Sequence, residues 1–211
     1  MFGILNIFNI NVCSDSLRLQ FYILVGTKMK TKDALIKSMQ ELLWRQGYSN
    51  TSPKEIQQVS GVGQGSMYHH FKGKSDLARQ SILLNIEELQ KEVSDILHSN
   101  KSARERISNY LLREREVLAG CRIGGLAQDS EIISDELLRE PIADSFQWLI
   151  GELEEVLHAG KASGEFAKDL NVKHTALTII SVTQGAFVIA RATQSEDYYR
   201  QAVTGIIEMI K

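Results

Sequence analysis

From Thr31 onward, apolar residues recur with helical spacing almost to the end of the chain. Leu35, Met39, Leu42 and Leu43 fall on one face of a first helix that stops near Gly47. Pro53 opens the next, where its missing N–H is no loss, with Ser52 ahead of it as N-cap. That helix is short and ends at Gly61, and a second short helix is expected over 64–71, broken at Gly73. A long helix is expected over 75–98, with Ile82, Ile86, Leu89, Val93, Ile96 and Leu97 on its apolar face.

Asn100, Lys101 and Ser102 mark a break, after which Ile107, Leu111 and Leu118 predict another amphipathic helix. Glycines from 120 to 125 interrupt the pattern. Pro141 is expected to open a helix carrying Ile142, Phe146, Leu149, Leu153 and Leu157, closing near Gly160. The last two helices are expected over 172–192 and 196–210. No segment alternates as a strand does, so the fold class is all-α. The layout is a three-helix N-terminal domain over 29–75 and a larger C-terminal helical bundle over 76–211. There is no internal repeat and no low-complexity tract.

Residues 1–28 read differently. Their apolar clusters are broken by Asn6, Asn9, Asn11, Ser14, Asp15 and Arg18, and no run reaches the roughly 20 apolar residues of a spanning helix. A signal peptide's positive start and small-residue cleavage site are also missing. The segment is expected to be a poorly ordered extension, or upstream sequence ahead of a start at Met29. A short extra helix is the other reading.

A length of 211 residues is enough to bury a core without staples. Cys13 and Cys121 form neither a disulfide framework nor a zinc spacing, so a reducing cytoplasm is the expected compartment, with no metal. Charge is split along the chain. Residues 29–80 hold 8 Lys/Arg against 4 Asp/Glu, whereas 81–211 hold 14 against 21. A basic head on an acidic body points to a polyanion met by the head alone, although chance clustering also produces a bias of this size.

The informative stretch is 52–71. Two short helices are joined by a tight turn at Gly61, Val62 and Gly63, with glycine at 61 able to take the left-handed conformation. Val62 fits the angle between the helices, while Ile56, Val59 and Met67 face inward. This is helix-turn-helix construction, whose second helix lies in the DNA major groove. Gln64, Gly65 and Ser66 leave that helix's N-terminus able to approach phosphate and base edges. Tyr68 and His69 present ring and polar groups on its exposed face, and His70 is expected to pack. Thr51, Ser52, Lys72 and Lys74 complete the candidate DNA contacts, the two lysines neutralising phosphates.

Thr51, Ile56, Gly61, Val62, Gly65, Ser66, Tyr68, His70, Phe71, Lys74 and Leu77 together resemble the DNA-binding domain of the TetR/AcrR family of bacterial regulators. The resemblance runs from about residue 30 to 78, roughly a quarter of the chain. It implies a nine- or ten-helix homodimer that binds double-stranded palindromic operator DNA and lets go when a small-molecule effector enters the C-terminal domain. Pro53 and Gly63 depart from the family's usual pattern, in which a serine is common at the second position. A weaker resemblance joins Gly120, Cys121, Arg122, Gly124, Gly125 and the Gly185–Ala186–Phe187 segment to the subgroup that represses electrophile-detoxifying reductases. In some members of that subgroup a cysteine at the place of Cys121 senses electrophiles.

Candidate ligand-binding residues are Glu114, Cys121, Trp148, Gln184, Phe187 and Arg191, polar groups set among apolar ones. Each has a plainer reading: an inert thiol for Cys121, a solvated carboxylate for Glu114, core or dimer packing for Trp148. Gly185, Ala186 and Ala190 allow close helix approach, either in a dimer seam or inside one subunit. No catalytic residue, cofactor or metal is expected. The glycines at 61, 63 and 65 lack the strand that a dinucleotide loop needs, and adjacent His69 and His70 point apart. A nucleophile with its base, or a carboxylate pair, is likewise missing, so an enzyme is not expected. No membrane partner is expected either. The alternative is a ligand-binding helical dimer that activates or has lost DNA binding.

Overall fold

The protein, seen as a computed structural model, is described over residues 30–210; the expectations for 1–28 and for Cys13 lie outside the described residues. Among the described residues there are nine α-helices and no strand. They are α1 (Thr31–Gln46), α2 (Pro53–Ser60), α3 (Gln64–His70), α4 (Lys74–Leu97), α5 (Ala103–Leu112), α6 (Ser130–Ser134), α7 (Glu136–Ser163), α8 (Val172–Thr193) and α9 (Glu196–Met209).

Local chemistry sets the head. The Ser52 hydroxyl accepts from the Glu55 N–H at 3.2 Å, while the Glu55 carboxylate accepts from the Ser52 N–H at 2.8 Å. This reciprocal cap starts α2, with Pro53 next to it, and the donors hold the Glu55 carboxyl below its ordinary range. Gly61 ends α2 at φ 68°, a left-handed conformation that costs a glycine little. Leu35, Met39, Ile56 and Met67 are fully buried between the three helices, with Val59 and Val62 packed at the edge.

One helix belongs to two cores. Leu77, Ala78, Ile82 and Ile86 of α4 join the head's core, while Val93 and Leu97 join the core of the body. The head's core also takes Ile123, Leu126, Ile132, Leu138 and Ile142 from further along the chain.

Three expectations are corrected. The helix over Ile107 and Leu111 stops at Leu112, and Leu118 lies in a separate single turn, Val117–Ala119. Arg113 is extended (φ −57°, ψ 151°), and Nη1 of Arg113 and Nη2 of Arg115 each donate to the Tyr110 carbonyl at 2.7 Å. Two guanidiniums thus satisfy the freed helix end. The helix assigned to Pro141 begins five residues earlier, at Glu136, because Asp135 caps it by accepting from the Leu137 N–H at 3.0 Å. Pro141 then lies inside α7 and removes one hydrogen bond, to the carbonyl of the exposed Leu137. Short α6, which the periodicity missed, is capped by the Asp129 carboxylate. At Gly160 of α7 a Cβ would come within 2.2 Å of the Phe166 ring, so only glycine fits that approach.

By length and composition, α8 is apolar enough to cross a membrane. One of its faces, including Ile179, Thr183, Ala186 and Ala190, packs into the body, and the other leaves Leu177, Val188 and Ile189 exposed.

Candidate DNA interface and body cavity

Along α3, Gln64, Gly65, Ser66, Tyr68, His69 and His70 are all exposed, and Met67 alone is buried. A Cβ at Gly63 or Gly65 would meet nothing within 4 Å, so neither glycine is demanded by the head's own packing. They leave the helix N-terminus bare for close approach from outside. His70 does not pack inward as expected. Phe71, only 2% exposed, occupies that place, and the His70 ring meets His69 edge-on at 5.0 Å. Lys72 is exposed next to the helix, as is Lys54 on α2, which the sequence reading passed over.

Three of the predicted DNA contacts are turned to other work. Thr51 is buried and its hydroxyl donates to the Gly47 carbonyl at 2.7 Å. The Ser52 hydroxyl is engaged by Glu55 at 2.8 Å. Lys74 Nζ lies 3.8 Å from the Tyr48 ring centroid and 3.9 Å from Glu131, facing the body. These side chains support the head's geometry, and the exposed set on α3 together with Lys72 and Lys54 is what remains open to solvent.

Behind the head lies a cavity of about 640 Å³, within the range of small-molecule sites. It sits at the seam of the two cores, since Leu89, Cys121 and Phe146 pack on both and also form its wall. Of the predicted ligand residues, Glu114, Cys121, Gln184 and Phe187 line it. Trp148 and Arg191 do not. Trp148 packs half-buried on the body's core, and Arg191 is exposed near Gly120. Glu114 is exposed on the extended segment after α5, not on a helix face. The Cys121 sulfur accepts from the Gly124 N–H at 3.2 Å and from Gln184 Nε2 at 3.5 Å. A Cβ at Gly124 would lie 2.0 Å from Gln184 Oε1, so the contact depends on glycine there.

Trp44, Asn85 and Arg115 are among the wall residues that the sequence reading passed over. Trp44 of α1 donates from Nε1 to the Gly120 carbonyl at 2.9 Å, and the Arg122 guanidinium lies 4.1 Å from its ring centroid. Asn85 is buried and its Oδ1 accepts from Gln40 Nε2 of α1 at 2.8 Å. Its signal was available, as a polar residue between Ile82, Ile86 and Leu89 on the apolar face of α4. Arg115, its guanidinium over Phe187 at 5.7 Å and Tyr199 at 5.3 Å, left no periodic signal. Burial, and then the nearby Arg113, pull its pKa down; burial also pushes the Tyr199 hydroxyl up to about 12.

The segment that forms this wall also grips the head. Ser49 donates to the Asp129 carboxylate from its N–H at 2.8 Å and from its hydroxyl at 2.5 Å, and Ser75 donates to Asp135 at 3.2 Å. Burial pushes the Asp129 carboxyl up, but the donors from Ser49, Ile132 and Glu131 together bring it below the ordinary aspartate value.

Residues 31–80 match the family of bacterial regulatory proteins named for TetR, and residues 101–206 match the tetracyclin repressor-like C-terminal domain. The chain belongs to the TetR family. It is a helix-turn-helix, DNA-binding transcriptional regulator with a ligand-responsive body. Among its relatives, an HTH-type transcriptional regulator of Lactococcus lactis subsp. lactis is 25% identical over 172 residues, covering 78% of this chain and 85% of its own. The QacR regulator of Staphylococcus aureus is 38% identical over 60 residues, 28% of this chain and 31% of its own. Among solved structures, a TetR-family regulator from Agrobacterium tumefaciens superposes with a TM-score of 0.79 at 23% identity, covering 88% of this chain and 100% of that one. The reduced form of Escherichia coli NemR gives 0.77 at 19%, covering 86% and 98%.

In this TetR-family chain, Ala186 and Ala190, expected in a dimer seam, are buried within the subunit at 1% and 0% exposure. Their small side chains let neighbouring helices of the same body close on α8. Gly185 is exposed, and a Cβ there would meet nothing within 4 Å. It shares the outer face of α8 with Leu177 and Val188.

Proposed function

We propose that this regulator is a repressor, held on a palindromic operator as a homodimer and released when a small molecule occupies the body cavity. The observation that carries the reading is the shared wall: Trp44 of the head and Cys121, Arg122 and Ile123 of the body line one space. Whatever fills it acts on the groups that set the head's position. Ligand favours a dimer whose recognition helices no longer suit half-sites about one helical turn, or a multiple of one, apart.

In this reading residues 29–75 form the DNA-binding part, with 52–71 as its motif, and 76–211 sense ligand and pair the subunits. Gln64, Gly65, Ser66, Tyr68 and His69 read the groove, and Lys72 holds phosphate. The apolar outer face of α8, with Leu177, Val188 and Ile189 about half exposed, supports pairing of two copies there. The protein works in the cytoplasm by binding, not catalysis.

Fluorescence anisotropy on the DNA upstream of the protein's own gene, against scrambled DNA across a salt series, tests the operator reading. Tight, salt-steep and sequence-selective binding is expected. Equal, weak binding to both DNAs would leave a ligand-binding helical dimer in its place.

The position of Cys121 on the cavity wall supports a second reading, in which the effector is an electrophile. Its thiol adds to the β-carbon of an unsaturated carbonyl: an S–C bond forms, the carbon–carbon π bond opens, and the thiol proton ends on the α-carbon. Intact-mass analysis of wild type and Cys121→Ser after exposure to such an electrophile tests this. Equal mass gain at other sites, with none at Cys121, counts against it.

A further inference from the structure

The charges on the cavity wall differ in what they already hold. Arg113 is paired with Glu92 at 2.8 Å, and Arg122 lies over Trp44. Glu88, Glu114 and Glu116 are exposed, which places them at the rim. Arg115, like Arg122, has no carboxylate within ion-pair reach among the described residues, and unlike Arg122 it is partly buried. Its Nε donates to the Arg113 carbonyl and its Nη2 to those of Tyr110 and Leu111, leaving Nη1 without an acceptor. Asn85, beside the cavity, carries an enclosed amide. It is 4% exposed, its Oδ1 is taken by Gln40, and its buried Nδ2 has no acceptor. A guanidinium fork suits a carboxylate, and Nη1 of Arg115 is free to complete it.

We propose that the cavity takes a monoanionic organic acid whose carboxylate meets Arg115. Its apolar body lies against Leu89, Phe146, Leu149 and Phe187. The rim carboxylates repel a second negative charge on the ligand, which is why one acid group is favoured. This ligand class rests on the reading of the cavity as the effector site.

The test uses the full chain and the neutral dye N-phenyl-naphthylamine, displaced by three probes of equal length: para-methoxyphenylbutanoate, its primary amide and the matching primary amine. The acid is expected to displace the dye at about tenfold lower concentration than the amide, the scale of one charge-assisted hydrogen bond. Arg115→Gln is expected to erase that difference. The Trp148→Phe protein, in which Trp44 is the remaining indole of two, is expected to change its emission on binding the acid. If the dye binds and is displaced equally by acid and amide, or best by the amine, the organic-acid proposal is overturned while the cavity reading stands. If the dye does not bind at all, the effector-cavity reading fails and takes the proposal with it. The acid–amide comparison in unsubstituted protein decides the matter even if Arg115→Gln does not fold.

Discussion

The indole Nε1 of Trp44 and the carbonyl of Gly120, 76 residues apart in the chain, are joined by a 2.9 Å hydrogen bond. It ties the DNA-reading head to the glycine segment that walls the cavity. Trp44→Phe keeps a ring there and removes the donor. Stability is expected to fall by about 1 kcal/mol, the net worth of one such bond, as measured by urea denaturation. An unchanged midpoint would mean that the bond holds nothing in place.

Tyr68 is 50% exposed on α3 and takes no part in the head's core. Tyr68→Ala should therefore leave thermal stability within about 0.5 kcal/mol of the parent, keep the dimer intact by sizing, and abolish specific operator binding. Parent-like binding would show that the recognition helix has been misassigned.

Acid should loosen the head's grip at Asp129. Its carboxyl lies below the ordinary value in the folded protein, so its contribution is complete above the unfolded pKa of about 3.9 and is lost as pH falls through the lower folded value. Asp129→Asn should show a smaller loss of melting temperature between pH 5 and pH 3 than the parent does. Parallel curves for the two proteins would assign the acid sensitivity elsewhere.

Two glycine substitutions separate the inside of the subunit from its outer face. Gly160→Ala would push a methyl into the Phe166 ring, and such overpacking costs about 1–3 kcal/mol by thermal unfolding. Gly185→Ala meets nothing in its own subunit, so the helix itself should gain a few tenths to about 1 kcal/mol. The same methyl is expected to weaken self-association in sedimentation equilibrium. Unchanged self-association would move the dimer seam away from this face of α8.

How far the sequence could be read depended on whether a feature is periodic or local. Leu35, Met39, Ile82, Val93 and Leu97 keep helical spacing, and the structure buries them all. Gly61, Val62 and the exposed residues of α3 were readable because turn chemistry is short-range. What escaped was set by contacts distant in sequence. Asp135, not Pro141, starts α7, because an aspartate cap with a free N–H to bond outweighs the one bond that the proline removes. Lys74 resembled a phosphate contact until Tyr48 and Glu131 drew it inward. Trp44 and Arg115 reached the cavity through segments whose own patterns gave no reason to expect it. Of the three small residues proposed for a dimer seam, Ala186 and Ala190 face the subunit's own core and Gly185 faces out.

Because Leu77, Ala78, Ile82 and Ile86 of α4 pack with Leu35 and Met39 while Val93 and Leu97 pack with the body, the head is not a detachable cassette. A chimera cut after residue 75 would strip its core of most of one wall, and a fragment ending there is expected to lack a cooperative melt by calorimetry. Exchange of DNA specificity between relatives is therefore easier by a few substitutions on α3 than by shuffling whole heads. Substitutions at the exposed surface of α3 leave the packing that joins head to body untouched.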